Sequence, residues 1–532
     1  NKAAFRRQVR LLKDMGCDAI RTSHNTPAPW QMDICDEMGM MVMAESFDMW
    51  IYPKCKNGYS RFFEVVDTEH VNADGKPWWE RDITNLVLLN RNHACNVMYS
   101  IGNEIPEQGS PVGLKYTKLM QDLIHRLDGT RPCTQGMDQG TAPMYSGVWH
   151  NIDIPGFNYR LHVYEEGYAK ATRGFVLGSE TASTISSRGV YKFPAEEVHG
   201  TAYPDGQISS YDLESCIWSN LPDDDWMWQD KKPWVIGEFV WTGFDYLGEP
   251  TPYDEYWPSR SSYFGIYDLA GLPKDRAYLY RTHWNTNDNT FHILPHWNWK
   301  GREGEVTPVF VYTSYPEAEL FVNGKSQGRL KHMDVSMEDY LANRIQEPMP
   351  WGGYSMFADP NLPKGKNRLD RYRIRWMDVV YEPGEIKVVA YDADGNVAET
   401  KTVRTAGKPH HLELSVDRPV LSATPVDAEG KATDSPDLAF VTVRVVDKDG
   451  NLCPDADNQL RFNVKGAARF NSCCNGDATS VEVFTNPTMK AFHGELVVVV
   501  EAGKLAGNAT LTVSGAGVQS AKAELSIINS QL

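Results

Sequence analysis

The sequence predicts a multidomain α/β plus all-β chain, and three observations carry that prediction. At 532 residues the chain is too long for a single hydrophobic core. Up to about residue 285, helix-spaced apolar residues alternate with short buried runs. Beyond about residue 290, short strands are separated by hairpin-type turns.

Taken in order, Phe5, Val9, Leu12 and Met15 recur at helical spacing, and Gly16 supplies the stop. Asp18–Thr22 then reads as a buried strand. A helix over Trp30–Met38, closed by Gly39, leads to a strand at Met40–Ala44. A helix at Ile83–Arg91 leads to a strand at Val97–Ile101, and a helix at Leu114–Leu127 to a strand at Cys133–Gly136. Further strands are expected at Ile154–Phe157, Phe175–Leu177 and Trp234–Phe239. Alternating βα units with buried parallel strands mean either a barrel or an open doubly wound sheet. Seven strands are counted where a barrel has eight, and the chain begins on a helix. Read as a barrel, the missing piece is the first strand.

In the second half, Val306–Thr313, Ala318–Phe321, Arg371–Trp376 and Ile386–Tyr391 read as strands, with hairpin turns at Asn323-Gly324 and Asp394-Gly395. Gly407-Lys408-Pro409 marks a boundary. Ala439–Val446, Leu460–Val464, Leu496–Val500 and Ala509–Val513 form a second group of strands. Two modules of about 120 residues each fit immunoglobulin-like β-sandwiches. The expected domains are 1–288 for the α/β part, 289–406 for one sandwich and 407–532 for the other. Neither sandwich carries a constellation of chemical groups, so both are expected to be scaffold or auxiliary sugar binders.

Composition narrows the function. A net charge of −17 argues against a nucleic-acid partner, because a phosphate backbone requires a basic face. No uninterrupted run of about 18 apolar residues occurs, so no transmembrane helix is expected. The 16 Trp and 25 Tyr suit flat apolar faces that meet polar ligands such as sugars, and equally suit an aromatic-rich core. Nine cysteines show no CxxC and no Cys/His spacing for zinc, and are expected to be mostly free buried thiols. Asn1 to Arg7 lie inside a helical pattern with no initiator Met or signal peptide, which reads as a fragment.

In a parallel α/β barrel the chemistry gathers at the C-terminal ends of the strands. Four carboxylates close apolar runs there: Glu45, Glu104, Glu180 and Glu238. One alone is more often structural, since a carboxylate at a buried strand end must be paired or capped. Four together predict an acidic cleft whose like charges separate pKa values, as acid/base chemistry requires. Glycoside hydrolysis uses two carboxyl groups flanking the scissile bond, one giving a proton and one attacking or activating water. No P-loop, no GxGxxG after a strand and no GxSxG at a strand end occur. The Schiff-base Lys of an aldolase and the His-rich cluster of a metal-dependent hydrolase are not found either.

Ile20-Arg21-Thr22-Ser23-His24-Asn25, Asn90-Arg91-Asn92-His93 and Ser100-Ile101-Gly102-Asn103-Glu104, in that order, resemble glycoside hydrolase family 2. That family contains β-galactosidases, β-glucuronidases and β-mannosidases. The resemblance covers the first 285 residues, and the sandwiches look like the C-terminal domains of its bacterial β-galactosidase branch. It implies a (β/α)8 TIM barrel with the first strand missing. It also implies a retaining, exo-acting β-galactosidase that works through a covalent glycosyl-enzyme and uses no cofactor. Glu104 takes the role of general acid/base on strand four, and Asn103 that of holding the sugar 2-hydroxyl. The nucleophile should close strand seven; Glu180 and Glu238 compete, and the strand count favours Glu180 and leaves Glu238 structural. Gly237-Glu238-Phe239-Val240-Trp241 resembles the eighth-strand motif, which makes Trp241 a stacking platform. His24 and His93 match histidines near the substrate hydroxyls or the transition state. Tyr159 matches the tyrosine that hydrogen-bonds the nucleophile. Asp48 and Trp50 are expected sugar contacts. As lone residues, a His, Tyr or Trp of this kind more often serves the core.

Departures from the family pattern sharpen the substrate. Where some β-galactosidases bind magnesium, the aligned residues are Met49 and Ile51, which cannot ligate a hard cation, so no such metal is expected. The Asn-x-Lys grip of glucuronidases is replaced by Ser262-Tyr263-Phe264 before Gly265-Ile266, which disfavours a glucuronidase. Galactoside is preferred to mannoside on the overall look of barrel and tail. Family members carry a jelly-roll and an immunoglobulin-like domain before the barrel. Without them the barrel is expected to have unpaired edges on strands two and eight, and less than full activity alone. An inactive carbohydrate-binding remnant is the rival reading. The expected partner is a glycoside, self-association into a homo-oligomer is left open, and the resemblance suggests a bacterial periplasmic or secreted location.

Overall fold

The computed structural model describes residues 1–66, 68, 74–342 and 366–529, together with the backbone of a hairpin over Arg344–Pro348 and Tyr354–Ala358. Its first sheet has seven strands: β1 (Ala19–Arg21), β2 (Met41–Glu45), β3 (Asn96–Asn103), β4 (Cys133–Met137), β5 (Ile154–Asn158), β6 (Val176–Thr181) and β7 (Val235–Val240). Six helices precede strands of this sheet: α1 (Lys2–Asp14), α2 (Pro29–Met38), α3 (Trp78–Asn90), α4 (Pro111–Leu127), α5 (Tyr164–Lys170) and α6 (Pro222–Lys231). Two short helical turns, Ala142–Ser146 and Val148–Asn151, precede β5, and α7 (Asp275–Trp284) follows β7. The strand order is β1 to β7 without reversal, and every neighbouring pair is parallel. That progression belongs to a (β/α) barrel, since a doubly wound sheet reverses its order midway.

Burial differs around the wall. All residues of β4 and β6 are buried, as expected of strands covered on both faces. β1 and β7 each pair on one side only and are mostly half-buried. A slot of about 540 Å³ lies beside them, lined by Leu12, Ile20, Phe239, Phe244, Ile266 and Trp284. These are the two unpaired edges expected from the strand count, with the gap where an eighth strand would pair. The turn after α1 contains Gly16, whose φ is +95° and whose Cβ, were there one, would sit 2.5 Å from the Asn285 nitrogen, so glycine is required there.

The second half is built of β-sandwich regions. A sheet of Phe291–Leu294, Val309–Thr313 and Ile374–Trp376 and a sheet of Glu317–Val322, Lys325–Lys331, Glu385–Tyr391 and Val397–Arg404 share a core that includes Trp297, Leu320 and Val388. The turns at Asn323-Gly324 and Asp394-Gly395 form as expected, with positive φ at Asn323, Gly324 and Gly395. Arg371–Trp376 is not one strand: Leu369–Tyr372 is a helical turn, and only Ile374–Trp376 is extended. The reason lies in the barrel. Arg368 and Arg373 turn inward to Asp224 and Asp223 at the start of α6, in buried ion pairs of 2.7 and 2.5 Å. The last region packs Val441, Leu460, Val498 and Leu511 between antiparallel strands. All nine cysteines are free, and six are buried. Among the described residues no helix is long and apolar enough to cross a membrane.

Candidate active site

The C-terminal ends of the strands open into a pocket of about 600 Å³. Glu180, near the end of β6 and only 6% exposed, stands on its wall. Its Oε2 accepts from an Arg21 guanidinium nitrogen at 2.9 Å and its Oε1 from the Tyr159 hydroxyl at 2.7 Å. Tyr159, just past β5, in turn accepts from Ser183 Oγ at 2.7 Å.

Glu104 follows β3 with a left-handed backbone, φ 43°, and its N–H donates to Gly136 O at 2.8 Å, which ties it to β4. Its Oε1 accepts from Asn158 Nδ2 at 3.0 Å. Burial, then the neighbouring Asp138 and Glu180 charges, push the Glu104 carboxyl up to about 8. It therefore carries its proton at neutral pH.

Arg21 organises the floor. Besides Glu180 it reaches Glu45 Oε2 at 2.6 Å, Ser179 O at 2.8 Å and Asn103 Oδ1 at 2.8 Å. Glu45 is wholly buried and also meets His24 Nδ1 and Ser100 Oγ, both at 2.6 Å. Burial alone raises a carboxyl, but the Arg21 charge and the His24 hydrogen bond outweigh it and hold Glu45 at about 2. Asn103, 4% exposed, accepts from Arg21 and from Asn158 Nδ2, and donates to Asp48 Oδ1 at 3.0 Å. Lys54 bridges Asp48 Oδ1 and Asn103 O at 2.8 Å each. Trp241 stacks on His24 with centroids 5.3 Å apart and planes 3° from parallel.

Seven of the nine site residues expected from sequence thus meet at one pocket: His24, Asp48, Asn103, Glu104, Tyr159, Glu180 and Trp241. His93 does not. It lies in the turn before β3, at the opposite end of the barrel, where its Nδ1 meets Asp36 Oδ2 at 2.7 Å. A motif that precedes a parallel strand reaches the N-terminal end of the barrel, and one that follows it reaches the C-terminal end. Trp50 is also corrected: it is fully buried, donates to Ile101 O at 3.0 Å and packs on Phe63. Glu238 faces the helices, accepting from Trp226 Nε1 at 2.8 Å and Trp284 Nε1 at 3.0 Å.

Arg21 and Glu45 stand in the sequence motifs without individual roles, Asn158 on β5 joins them, and Lys54, Asp138, Arg160, Trp218, Tyr246 and Glu249, which the motifs do not contain, also line the pocket. Arg21, the one cation inside the first motif, was the detectable signal; the others lie on loops without pattern. His/Cys/Asp groupings that could hold a metal occur among the described residues at Asp36, His93 and Cys95 and at His125, Cys133 and Asp153, away from this pocket.

Comparisons with known proteins agree with the geometry. The model of the glycosyl hydrolases family 2 TIM barrel domain matches residues 1–258, and that of glycoside hydrolase family 2 C-terminal domain 5 matches residues 421–524. A domain of unknown function matches residues 304–399. A β-galactosidase of Bacteroides ovatus is 35% identical over 99% of this chain and 59% of its own length. A putative β-glucuronidase of Formosa agariphila is 29% identical over 90% of this chain and 41% of its own. The crystal structure of a β-glycosidase from Bacteroides vulgatus superimposes with a TM-score of 0.77 at 29% identity, over 99% of this chain and 62% of that one. The chain spans about half the length of these curated relatives.

Proposed function

We propose that the chain, which belongs to glycoside hydrolase family 2, is the catalytic part of a retaining, exo-acting β-glycosidase whose glycon is β-D-galactose. The observation that carries the reading is the asymmetry of two carboxyls on one pocket. Glu104 is desolvated and holds a proton near neutrality, while Glu180 accepts from a guanidinium and a phenol. As the glycosidic bond breaks, Glu104 gives its proton to the leaving oxygen and Glu180 attacks the anomeric carbon to form a glycosyl ester. Glu104, now a carboxylate, takes a proton from the water that displaces Glu180, and the sugar leaves with its configuration retained. Arg21 and Tyr159 hold Glu180 in place for both steps.

The pocket favours a neutral sugar. Asp48, Asp138 and Glu249 line it with the two catalytic carboxyls, the Lys54 ammonium is occupied by Asp48 and Asn103 O, and the Arg160 guanidinium is engaged by Asp138, through its carbonyl at 2.6 Å and its carboxylate at 3.9 Å. A uronic carboxylate would meet like charge there. The name of the Bacteroides ovatus relative supports galactose as that neutral sugar.

The test is hydrolysis of aryl β-galactoside, β-glucuronide and β-mannoside, with labelling by a 2-deoxy-2-fluoro galactoside. Galactoside should be preferred, the label should fall on Glu180, and Glu104→Gln and Glu180→Gln should each cost at least about a thousandfold in kcat/KM. A label on Glu238 or an inverted product would overturn the mechanism, and a preference for glucuronide would overturn the sugar.

A further inference from the structure

Not every carboxylate on the pocket wall is used by the mechanism above. Glu249 lies in the loop that follows Tyr246, exposed on the pocket it shares with His24, Trp241 and Glu180. Its backbone is left-handed at φ 48°, and two other residues of the same pocket, Glu104 and Tyr159, share that conformation at 43° and 58°. Non-glycine residues held this way cluster at functional sites, because surrounding structure must impose the strain. The clamp is visible here: the Tyr246 hydroxyl donates to Glu249 Oε2, and Trp241 stands edge-on to Tyr246 at 6.0 Å and 84°. Among the described residues no donor reaches Glu249 Oε1. One oxygen is therefore fixed, and the other is available to a ligand.

The order of the strand ends says which part of a sugar lies there. On the glycosidase reading the anomeric carbon sits between Glu104, after β3, and Glu180, on β6, and the family resemblance implies the 2-hydroxyl at Asn103. The ring then runs past Asp48, beyond β2, and His24, beyond β1. A ring placed this way would turn its C4 to C6 edge toward the wall that follows β7, where Trp241, Tyr246 and Glu249 stand.

We propose that Glu249, held by Tyr246, reads the C4–C6 edge of the glycon, accepting a hydrogen bond from a hydroxyl there and repelling a carboxylate in its place. The proposal rests on the glycosidase reading and names the residue that sets its preference. An acceptor fixed on the pocket wall discriminates once a ring covers it, since a partner lacking the donor leaves it unpaired, and like charge adds to the penalty.

Aryl β-D-galactoside and aryl β-D-galacturonide differ only at C6 and form the probe pair. Glu249→Gln keeps the shape and removes the charge. Its kcat/KM on the galactoside should fall about tenfold to a hundredfold, and the galactoside-to-galacturonide ratio should narrow by at least about tenfold. Glu249→Asp, shorter but still charged, should lose galactoside turnover while keeping the discrimination, and thermal melts of both variants confirm that they fold. An unchanged ratio in Glu249→Gln overturns the proposal. Calorimetric binding of methyl β-galactoside to Glu180→Gln, with and without Glu249→Gln, separates this inference from the reading beneath it. Full turnover by Glu180→Gln would sink the glycosidase mechanism, whereas undiminished binding on adding Glu249→Gln would sink the role of Glu249.

Discussion

At the C-terminal end of the barrel His24 Nδ1 lies 2.6 Å from Glu45 Oε1. At the N-terminal end His93 Nδ1 lies 2.7 Å from Asp36 Oδ2, and His125 Nε2 lies 2.7 Å from Asp153 Oδ2. The pairs look alike, but their remaining hydrogen bonds do not. Asp36 Oδ1 accepts from the backbone N–H of Cys95 at 2.7 Å, and Asp153 Oδ2 from that of Cys133 at 2.9 Å, while the cation on Asp153 Oδ1, Arg173 at 2.5 Å, is an exposed one that reaches no group of the pocket. Those carboxylates pin strand entrances to the helices and loops around them. Glu45 instead gives Oε2 to Arg21 and Ser100, and Arg21 reaches on to Glu180. Bonded to backbone, a histidine–carboxylate pair fastens the fold; bonded to a shared cation, it positions reacting groups.

The largest test of that difference is Arg21→Lys. The guanidinium serves Glu45, Glu180, Asn103 and Ser179 O at once, and an ammonium cannot reproduce that fork. We expect kcat/KM to fall by about a hundredfold to a thousandfold, with the loss mainly in kcat, because it is the nucleophile that is misplaced. A loss confined to KM would make Arg21 a substrate contact instead.

Glu45→Gln comes next and is read in stability. Removing one carboxylate of this buried cluster leaves Arg21 with Glu180 alone to balance it, at a cost of up to about 3–5 kcal/mol near neutral pH. The sign with pH follows from the depressed carboxyl. Glu45 sits at about 2 when folded against an ordinary 4.5, so its contribution is present above about 4.5 and fades as pH falls toward about 2. Urea melts of wild type and variant should therefore converge in acid. A gap that stays constant to low pH would assign the loss to packing.

The pH dependence of catalysis probes the upper carboxyl in the same way. Glu104 must be protonated to act as the acid, so kcat/KM should fall as pH rises through about 8. Asp138 is part of what raises it, and Asp138→Asn should move that alkaline limb to lower pH without moving the label from Glu180. An unmoved limb would leave burial and the Glu180 charge as the causes.

How far the sequence carried these conclusions depends on the kind of signal. The seven barrel strands were legible because each is a short apolar run between helices, and β4 and β6 are buried along their whole length. Residues that follow such runs, Glu104 and Glu180 above all, were legible because a parallel strand delivers its last residue to one face. Glu249 and Lys54 were not, since their loops have no period to mark them, although the partners that hold them, Tyr246 and Asp48, are only three and six positions away. The helical turn at Leu369–Tyr372 was hidden because barrel carboxylates, more than one hundred positions away, select it. His93 failed for a further reason: a motif match gives a residue type and an order along the chain, but which end of the barrel it reaches is set by whether it precedes or follows its strand.

His93→Ala is accordingly the smallest effect and the sharpest check on the two ends. The variant removes one donor from Asp36, whose other oxygen keeps the Cys95 N–H. Both side chains of the pair are partly exposed, at 16% and 31%, so the interaction is worth about 1 kcal/mol or less. Nothing in the pocket touches it, and kcat/KM should stay within about twofold of wild type, because fastening interactions affect the folded population and not the transition state. His24→Ala, which strips the corresponding donor from Glu45 and the stacking partner from Trp241, should cost at least about tenfold in the same assay. Equal losses in the two variants would mean that the two ends are coupled through the strands, and that fastening and positioning are not separable in this barrel.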